Sequence, residues 1–244
     1  MLVAAAVCPC PPLLVPEVAA GAAPELDAAR AACSDAIGVL AAARPGLLVV
    51  IGPAGQSGRG PHPQGARGSF RGFGVDVDVH LGPVPSETEP DAGAEGQREL
   101  PASLAVAGRL LERTQWSAAP VEGLGVGEPC DAERCIQVGR DIGARADRVA
   151  LLVMGDASAC RTLKAPGYLD ERAAGFDAEI GRALGEADVE ALKALDAGLA
   201  YELKAAGRAP WQVLAGAAES AALSGELLYE DAPYGVGYVV AAWS

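Results

Sequence analysis

Three short segments of this chain are entirely apolar, and a turn containing glycine or proline follows each of them. They are residues 2–7, 47–51 and 149–154, each about the length of one strand. Between them lie segments with helical periodicity, including residues 24–44 and 100–116. Apolar strands that alternate with helices indicate an α/β protein whose sheet is covered by helices on both faces.

The rest of the chain continues this pattern, apart from two irregular stretches. Further strands are predicted at 120–127, about 226–230 and 235–242, a helix at 131–145 capped by Asp131, and mostly helix over 170–222. Residues 74–81 alternate strictly, which predicts a half-exposed strand with its valines inward. Residues 53–72 are too rich in Gly and Pro for regular structure and are expected to form a flexible loop. The acidic segment at 83–98 is expected to be a second flexible loop.

The charge of the chain excludes several kinds of partner. It carries 19 Lys and Arg against 32 Asp and Glu, a net charge of −13, with no basic cluster. Such a chain is a poor match for nucleic acid or an anionic membrane surface. No stretch reaches the ~18 apolar residues of a membrane helix, and prolines end the first apolar run too early for a signal peptide. We therefore expect a cytoplasmic protein with six reduced cysteines, and its Ala- and Gly-rich composition suggests a bacterial source.

The turns that follow the predicted strands carry a family resemblance. They read Cys10-Pro-Pro-Leu-Leu14, Val49-Val-Ile-Gly-Pro53, Met154-Gly-Asp-Ala-Ser-Ala159 and Tyr229-Glu-Asp-Ala-Pro-Tyr-Gly-Val-Gly-Tyr238. In order and spacing this set resembles the class III extradiol ring-cleavage dioxygenases, in the superfamily of their B-type chain, which also includes the Memo proteins. The resemblance covers nearly the whole chain. It implies one three-layer α/β/α domain over residues 1–244 with a mixed, mostly parallel central sheet.

The same resemblance implies an altered metal site. In that family two histidines and a carboxylate hold Fe(II), and a further histidine is the acid/base. The first metal histidine corresponds to Cys10, the second to Ala54 or Gly55, and the acid/base histidine to Ala159. The late carboxylate corresponds to Glu230 or Asp231. Three of the four functional positions are therefore changed, and a thiolate at Cys10 would favour Zn or Cu(I) over Fe(II).

Few other metal ligands are available, because the chain has only two histidines, His62 and His80. His62 follows Ala54 by eight residues, so it either folds back as a ligand or is a solvated loop residue. His80 is expected to be a surface residue or to pair with a neighbour. Cys8 and Cys10 could pack in the core, bind metal or act in redox chemistry, whereas the cysteines at 130 and 135 are expected to pack.

Polar side chains remain near the expected pocket, close to the strand ends. Besides Glu230 and Asp231 they are Asp156, Ser158, Cys160, Arg161, Lys164, Tyr168 and Tyr234. Taken singly, each could be a loop residue with local hydrogen bonds. Their convergence at strand ends predicts a pocket.

Three functions fit these observations. The first is a divergent superfamily member without the iron site or any cofactor, catalytically degenerate, with a pocket for a small ligand or a protein partner. The second is an active metal-dependent enzyme that uses Cys10 with Glu230 or Asp231, and His62 if it folds back. The third is a non-enzymatic interaction protein whose loops dock a partner. The sequence specifies neither the ligand nor the oligomeric state.

Overall fold

A computed structural model describes residues 1–84 and 98–244 of the chain. The acidic loop expected at 83–98 therefore lies almost entirely outside the described residues. None of the helices within those two ranges is long and apolar enough to cross a membrane.

The centre of the molecule is a seven-stranded sheet. Its strands and those of a small two-stranded ribbon are β1 (Leu2–Cys8), β2 (Leu47–Pro53), β3 (Gly60–His62), β4 (Arg67–Ser69), β5 (Asp78–His80), β6 (Val121–Val126), β7 (Val149–Met154), β8 (Gly225–Asp231) and β9 (Tyr238–Trp243). The sheet order is β3-β6-β2-β7-β1-β9-β8, and β4 pairs with β5 in the ribbon. Strands β6, β2, β7 and β1 are mutually parallel, whereas β3, β9 and β8 join antiparallel to their neighbours.

Helices cover both faces of this sheet. They are α1 (Pro16–Ala19), α2 (Asp27–Ala42), α3 (Ala102–Arg113), α4 (Ala132–Gly143), α5 (Ala173–Gly185), α6 (Val189–Lys193), α7 (Ala197–Glu202) and α8 (Arg208–Ala218). The buried side chains of α2 and α3 belong to one core, and those of α4, α5 and α8 belong to the other. The mixed, mostly parallel sheet between them confirms the predicted three-layer α/β/α fold.

The apolar strands supply both cores at once. In β7, Val149, Leu151 and Val153 face one core, and the residues between them face the other. All six residues of this strand are buried. A strand that is buried on both faces has no position for a polar side chain, which is why these segments were apolar throughout.

The segment at 53–72 is more regular than its composition suggested. It contains β3, which pairs with β6 at the sheet edge, and β4, which pairs with β5. The prediction of an irregular loop was wrong, because pairing with distant strands overrides the local effect of Gly and Pro. The strand expected at 74–81 is limited to Asp78–His80, although Val79 is buried and the two preceding valines pack against the same core.

The carboxyl ends of the four parallel strands lie at one edge of the sheet, here called the carboxyl edge. Residues that follow β1, β2, β6 and β7 meet there, with β7 placed between β1 and β2. Open α/β sheets bind their ligands at this edge. The loops that leave it therefore define where to look for a functional site.

Candidate functional site

Cys10 and Asp156 form the centre of the carboxyl edge. The backbone N–H of Cys10 donates a 2.8 Å hydrogen bond to Asp156 Oδ1, which ties the turn after β1 to the turn after β7. Burial, and then the neighbouring Asp156 carboxylate, raise the pKa of the Cys10 thiol well above its ordinary value. Burial also raises the pKa of Asp156 to about 6, although this residue keeps some contact with solvent. At neutral pH the pair is therefore a protonated thiol beside an ionised carboxylate.

Tyr238 completes the buried surroundings of this pair. It is the first residue of β9 and is only 2% exposed. Burial, followed by the charges of Asp156 and Cys10, raises the pKa of its phenol. The carboxylate thus lies among groups that stay protonated at neutral pH.

A cleft of ≈ 520 Å³ opens on the same edge, beside the ends of β2 and β6. Its lining comes from the loop after β2, the loop after β6, and the connection between α7 and α8: Pro53, Ala54, Gly55, Glu128, Tyr201, Glu202, Lys204, Ala205 and Ala206. The part of the lining that comes from the end of β2 and the loop after it, here called the floor, consists of Pro53, Ala54 and Gly55, and the charged and aromatic side chains come from the later segments. Such a mixture is typical of small-molecule sites.

The cleft adjoins the Cys10–Asp156 pair through the backbone. The Gly207 N–H, one residue beyond the cleft lining, donates a 2.9 Å hydrogen bond to the Asp156 carbonyl. Gly155 lies against Gly207 so closely that a Cβ on Gly155 would be 2.5 Å from the Gly207 Cα. The turn after β7 and the far wall of the cleft are therefore packed directly on each other.

Glu128 joins the cleft to a buried arginine. Its Oε1 accepts a hydrogen bond of 3.1 Å from Arg208 Nε, and Arg208 is 2% exposed. The second oxygen, Oε2, is buried and has no hydrogen-bond partner among the residues that the structure describes. Burial raises the pKa of Glu128, and the opposing effect of Arg208 is smaller. The wall of the cleft therefore contains a carboxylate whose charged form is disfavoured by burial and only partly stabilised by Arg208.

Ser158 has a structural position. Its N–H and its hydroxyl both donate to Asp177 of α5, at 2.8 and 2.9 Å, and Arg161 Nη1 donates to the same carboxylate at 2.9 Å. Asp177 is only 1% exposed. This network fixes the loop between β7 and α5 and leaves Ser158 fully buried.

The other predicted pocket residues make separate contacts. Lys164 and Tyr168 are exposed on the loop after β7. Cys160 is buried, and its thiol donates to the Leu203 carbonyl at 3.4 Å. Tyr234 donates through its hydroxyl to Glu25 Oε2 at 2.7 Å. The structure brings Asp156 against Cys10, a pairing that the sequence analysis did not predict, and no hydrogen bond joins the side chains of these four residues within the described part of the chain.

His62 cannot join the late carboxylates in one metal site. It lies in β3, the outermost strand on one side of the sheet, whereas Glu230 and Asp231 lie in β8, the outermost strand on the other side. Six strand spacings of ~4.8 Å separate these two strands by about 29 Å. His62 is also buried, and its Nε2 donates to the Gly58 carbonyl at 2.9 Å. The expectation of a solvated histidine that could fold back as a ligand was therefore wrong.

Glu230 and Asp231 make different contacts on β8. Glu230 lies against α5, where a Cβ on Gly181 would be 2.8 Å from its Oε2. Asp231 accepts from the Ala232 N–H at 2.7 Å and from the Tyr229 hydroxyl at 3.4 Å. Within residues 1–84 and 98–244, no group of three or more His, Cys, Asp or Glu side chains is arranged to hold a metal ion.

Comparison with known proteins adds evidence on the fold. No family model matches the sequence, and no curated protein matches it. Among solved structures, the chain is similar to the crystal structure of uncharacterized protein JW3007 from Escherichia coli K12. The two share 15% sequence identity over 99% of each chain, with a TM-score of 0.55. At this identity the similarity supports a shared fold and carries no information on function.

Several residues of the site were not among those predicted from the sequence. They are Glu128, Tyr201, Glu202, Lys204 and Asp177. Glu128 directly follows the strand predicted at 120–127, so the rule that selected Asp156 would also have selected it. The others lie on helices or between them, and no local pattern marks a helical residue that reaches a strand end.

Proposed function

We propose that this chain is a divergent member of the class III extradiol dioxygenase superfamily that binds a small ligand without the family's Fe(II) site. One observation carries the proposal. The cleft of ≈ 520 Å³ is lined by Ala54 and Gly55, the positions that correspond to the second metal histidine of that family. The ligand pocket is thus retained where the metal ligand is replaced.

The residues present do not fit the family's iron. Ala54 offers no donor atom, and the thiol of Cys10 is held protonated by its burial and by Asp156. Binding of a metal needs the deprotonated ligand, so the raised pKa opposes it. Of the two candidates for the late carboxylate, Glu230 lies against α5, and Asp231 accepts hydrogen bonds from the Ala232 N–H and the Tyr229 hydroxyl. No reaction step through iron is derived from these residues.

A second candidate function is protein interaction, and one surface feature favours it. The loop between β7 and α5 exposes Leu163, Tyr168 and Leu169, with exposed fractions of 61%, 63% and 46%. Tyr201, at 76%, belongs to the neighbouring α7. Clustered exposed apolar side chains are typical of interaction sites.

Elemental analysis tests the first part of the proposal. The protein is purified anaerobically without a metal-chelating tag, and its iron content is measured together with its ability to cleave catechol. We expect far less than one iron atom per chain and no ring cleavage. Stoichiometric iron with ring cleavage would show that the family's activity is intact.

A probe of apolar surfaces, anilinonaphthalene sulfonate, tests the cleft itself. Ala54→Leu fills the floor of the cleft and should weaken probe binding by about tenfold, equivalent to ~1.4 kcal/mol. Ala118→Leu is the matched control, because Ala118 is exposed and precedes β6 at the opposite end of that strand. If binding is unchanged by Ala54→Leu but is lost in Tyr168→Ser, the exposed loop is the binding surface and the interaction function is favoured.

A further inference from the structure

Cys130 differs from the other five cysteines of the chain. The other five are buried, whereas Cys130 is partly exposed, and all six are free thiols. It precedes Asp131, which occupies the N-cap position of α4 without a capping hydrogen bond from its side chain, and Cys135 is the fourth residue of that helix. Side chains at these two positions commonly contact each other across the first turn of a helix. The helix start therefore brings an accessible thiol against a buried one.

The contacts between these two cysteines confirm that arrangement. The Cys135 thiol lies 3.9 Å from the Cys130 carbonyl oxygen, to which it donates a hydrogen bond. Burial, together with the neighbouring Cys130 thiol, raises the pKa of Cys135 to about 12. Of the pair, Cys130 is the sulfur that a reagent in solution reaches first.

The segment that carries Cys130 is held in place by Arg208. Arg208 Nη1 donates to the Cys130 carbonyl at 2.7 Å, and Arg208 Nη2 donates to the Glu128 carbonyl. Because Arg208 is buried in α8, these bonds keep the loop after β6 against that helix. The same loop supplies Glu128 to the wall of the cleft.

We propose that Cys130 and Cys135 form a redox modification site, a dithiol that small disulfides of the glutathione type oxidise to an intramolecular disulfide. The Cys130 thiolate attacks one sulfur of the small disulfide, forms a mixed disulfide and releases one thiolate. The sulfur of Cys135 then attacks the sulfur of Cys130 and releases the second thiolate. The two protons lost by the protein end on the two small thiols, so the protein is oxidised by two electrons and the small disulfide is reduced.

Cys8 and Cys33 provide an internal comparison. Both belong to the same core, and each has an exposed fraction of 0%. Cys33 together with burial raises the pKa of the Cys8 thiol well above its ordinary value. They form a second pair of neighbouring cysteines without access to solvent. If accessibility decides reactivity, only the pair at the start of α4 is oxidised in the folded chain.

The experiment treats the folded full-length chain with oxidised glutathione at about pH 8, where a substantial fraction of exposed thiols is ionised. Free thiols are then alkylated in denaturant, and the peptides are mapped by mass spectrometry. We expect one disulfide between Cys130 and Cys135, a loss of two hydrogen atoms in mass, and four alkylated cysteines. Cys135→Ser should stop at a mixed disulfide on Cys130, and Cys130→Ser should take up no glutathione and keep its five cysteines alkylatable. Cys33→Ser, the matched control, should behave like the parent.

Two results would overturn the proposal. One is a parent protein that accumulates the mixed disulfide on Cys130 and never transfers it to Cys135, which would show that the sulfurs cannot reach each other. The other is a parent protein, folded by circular dichroism, that remains unmodified or forms the Cys8–Cys33 disulfide at the same rate. Neither outcome depends on what the cleft binds, so this test and that of the proposed function are independent.

Discussion

The hydrogen bond of 2.8 Å from the Cys10 N–H to Asp156 Oδ1 joins two turns that are 146 positions apart in the sequence. The turns meet because β1 and β7 are adjacent parallel strands whose ends align, with Cys8 opposite Met154. An acidic side chain at this point is costly, since burial raises its pKa to about 6. Groups that are destabilised in this way concentrate at functional sites.

Asp156→Asn should make the protein less sensitive to rising pH. The folded protein retains a proton on Asp156 that the unfolded chain releases between about pH 4 and pH 6, so this group's contribution to stability falls as pH rises through that range. The variant lacks this loss and keeps an acceptor for the Cys10 N–H. Its free energy of unfolding relative to the parent should therefore increase by up to about 3 kcal/mol between pH 4 and pH 7. Urea unfolding at both pH values checks this, and an unchanged difference would argue against it.

Asp177→Ala should be strongly destabilising. Asp177 accepts three hydrogen bonds from Ser158 and Arg161 and is almost completely buried. Its removal leaves these donors without partners, at a cost of about 3 kcal/mol in the free energy of unfolding. Ser158→Ala removes one donor only and should cost about 1 kcal/mol. Asp76→Ala, which breaks an exposed ion pair with Arg71, is the control and should change little in urea unfolding. Equal losses in the Asp177 and Asp76 variants would contradict the buried network.

The fold was largely predictable because its central strands are buried on both faces. A strand such as residues 149–154 can contain only apolar residues, so its composition alone marks it. Strand β3 was missed because nothing within Gly60–His62 indicates pairing, which depends on β6 about sixty residues later. His62 was misplaced for the same reason.

The site was predictable only in its individual residues. Cys10 and Asp156 were each selected because they follow apolar strands, yet their hydrogen bond depends on which strands are neighbours. Lys164 was selected by its position after β7, but the lysine that lines the cleft is Lys204, between α7 and α8. How helices pack on a sheet edge is a tertiary property, and it has no local pattern in the sequence.

Two glycines allow α4 and α8 to pack backbone against backbone. A Cβ at Gly139 would overlap the Val213 carbonyl oxygen, and one at Gly216 would overlap the Ile136 carbonyl oxygen. Gly139→Ala should therefore lower the free energy of unfolding by at least about 2 kcal/mol, since the backbones must move apart. Gly38→Ala is the matched control, because Gly38 lies within α2 and no atom of residues 1–84 or 98–244 is within 4 Å of an added Cβ there. It should stabilise the protein by ~0.5–1 kcal/mol through helix propensity. Thermal unfolding that ranks the two variants in the opposite order would contradict the close contact.

Introducing two imidazoles should test whether the strand ends have the geometry of a metal site. Cys10→His and Ala54→His together place nitrogen donors after β1 and β2, on either side of the turn after β7. Asp156 lies on that turn and bonds to residue 10, so it replaces Glu230 or Asp231 as the expected carboxylate ligand. We expect the double variant to bind Fe(II) more tightly than the parent by at least about tenfold, because outer contacts alone change metal affinity by ~10–100-fold.

Anaerobic titration with Fe(II) measures this affinity, with the two single variants as controls. Adding Asp156→Asn to the double variant should return the affinity to that of the parent, since the remaining pair of imidazoles lacks a charged ligand. Ring cleavage of catechol should stay negligible, because Ala159 still provides no acid/base group. A double variant that stays folded yet binds Fe(II) no better than the parent would show that the resemblance does not extend to the geometry of the strand ends. The interaction function would then be preferred, because the cleft would have lost its link to a former metal site.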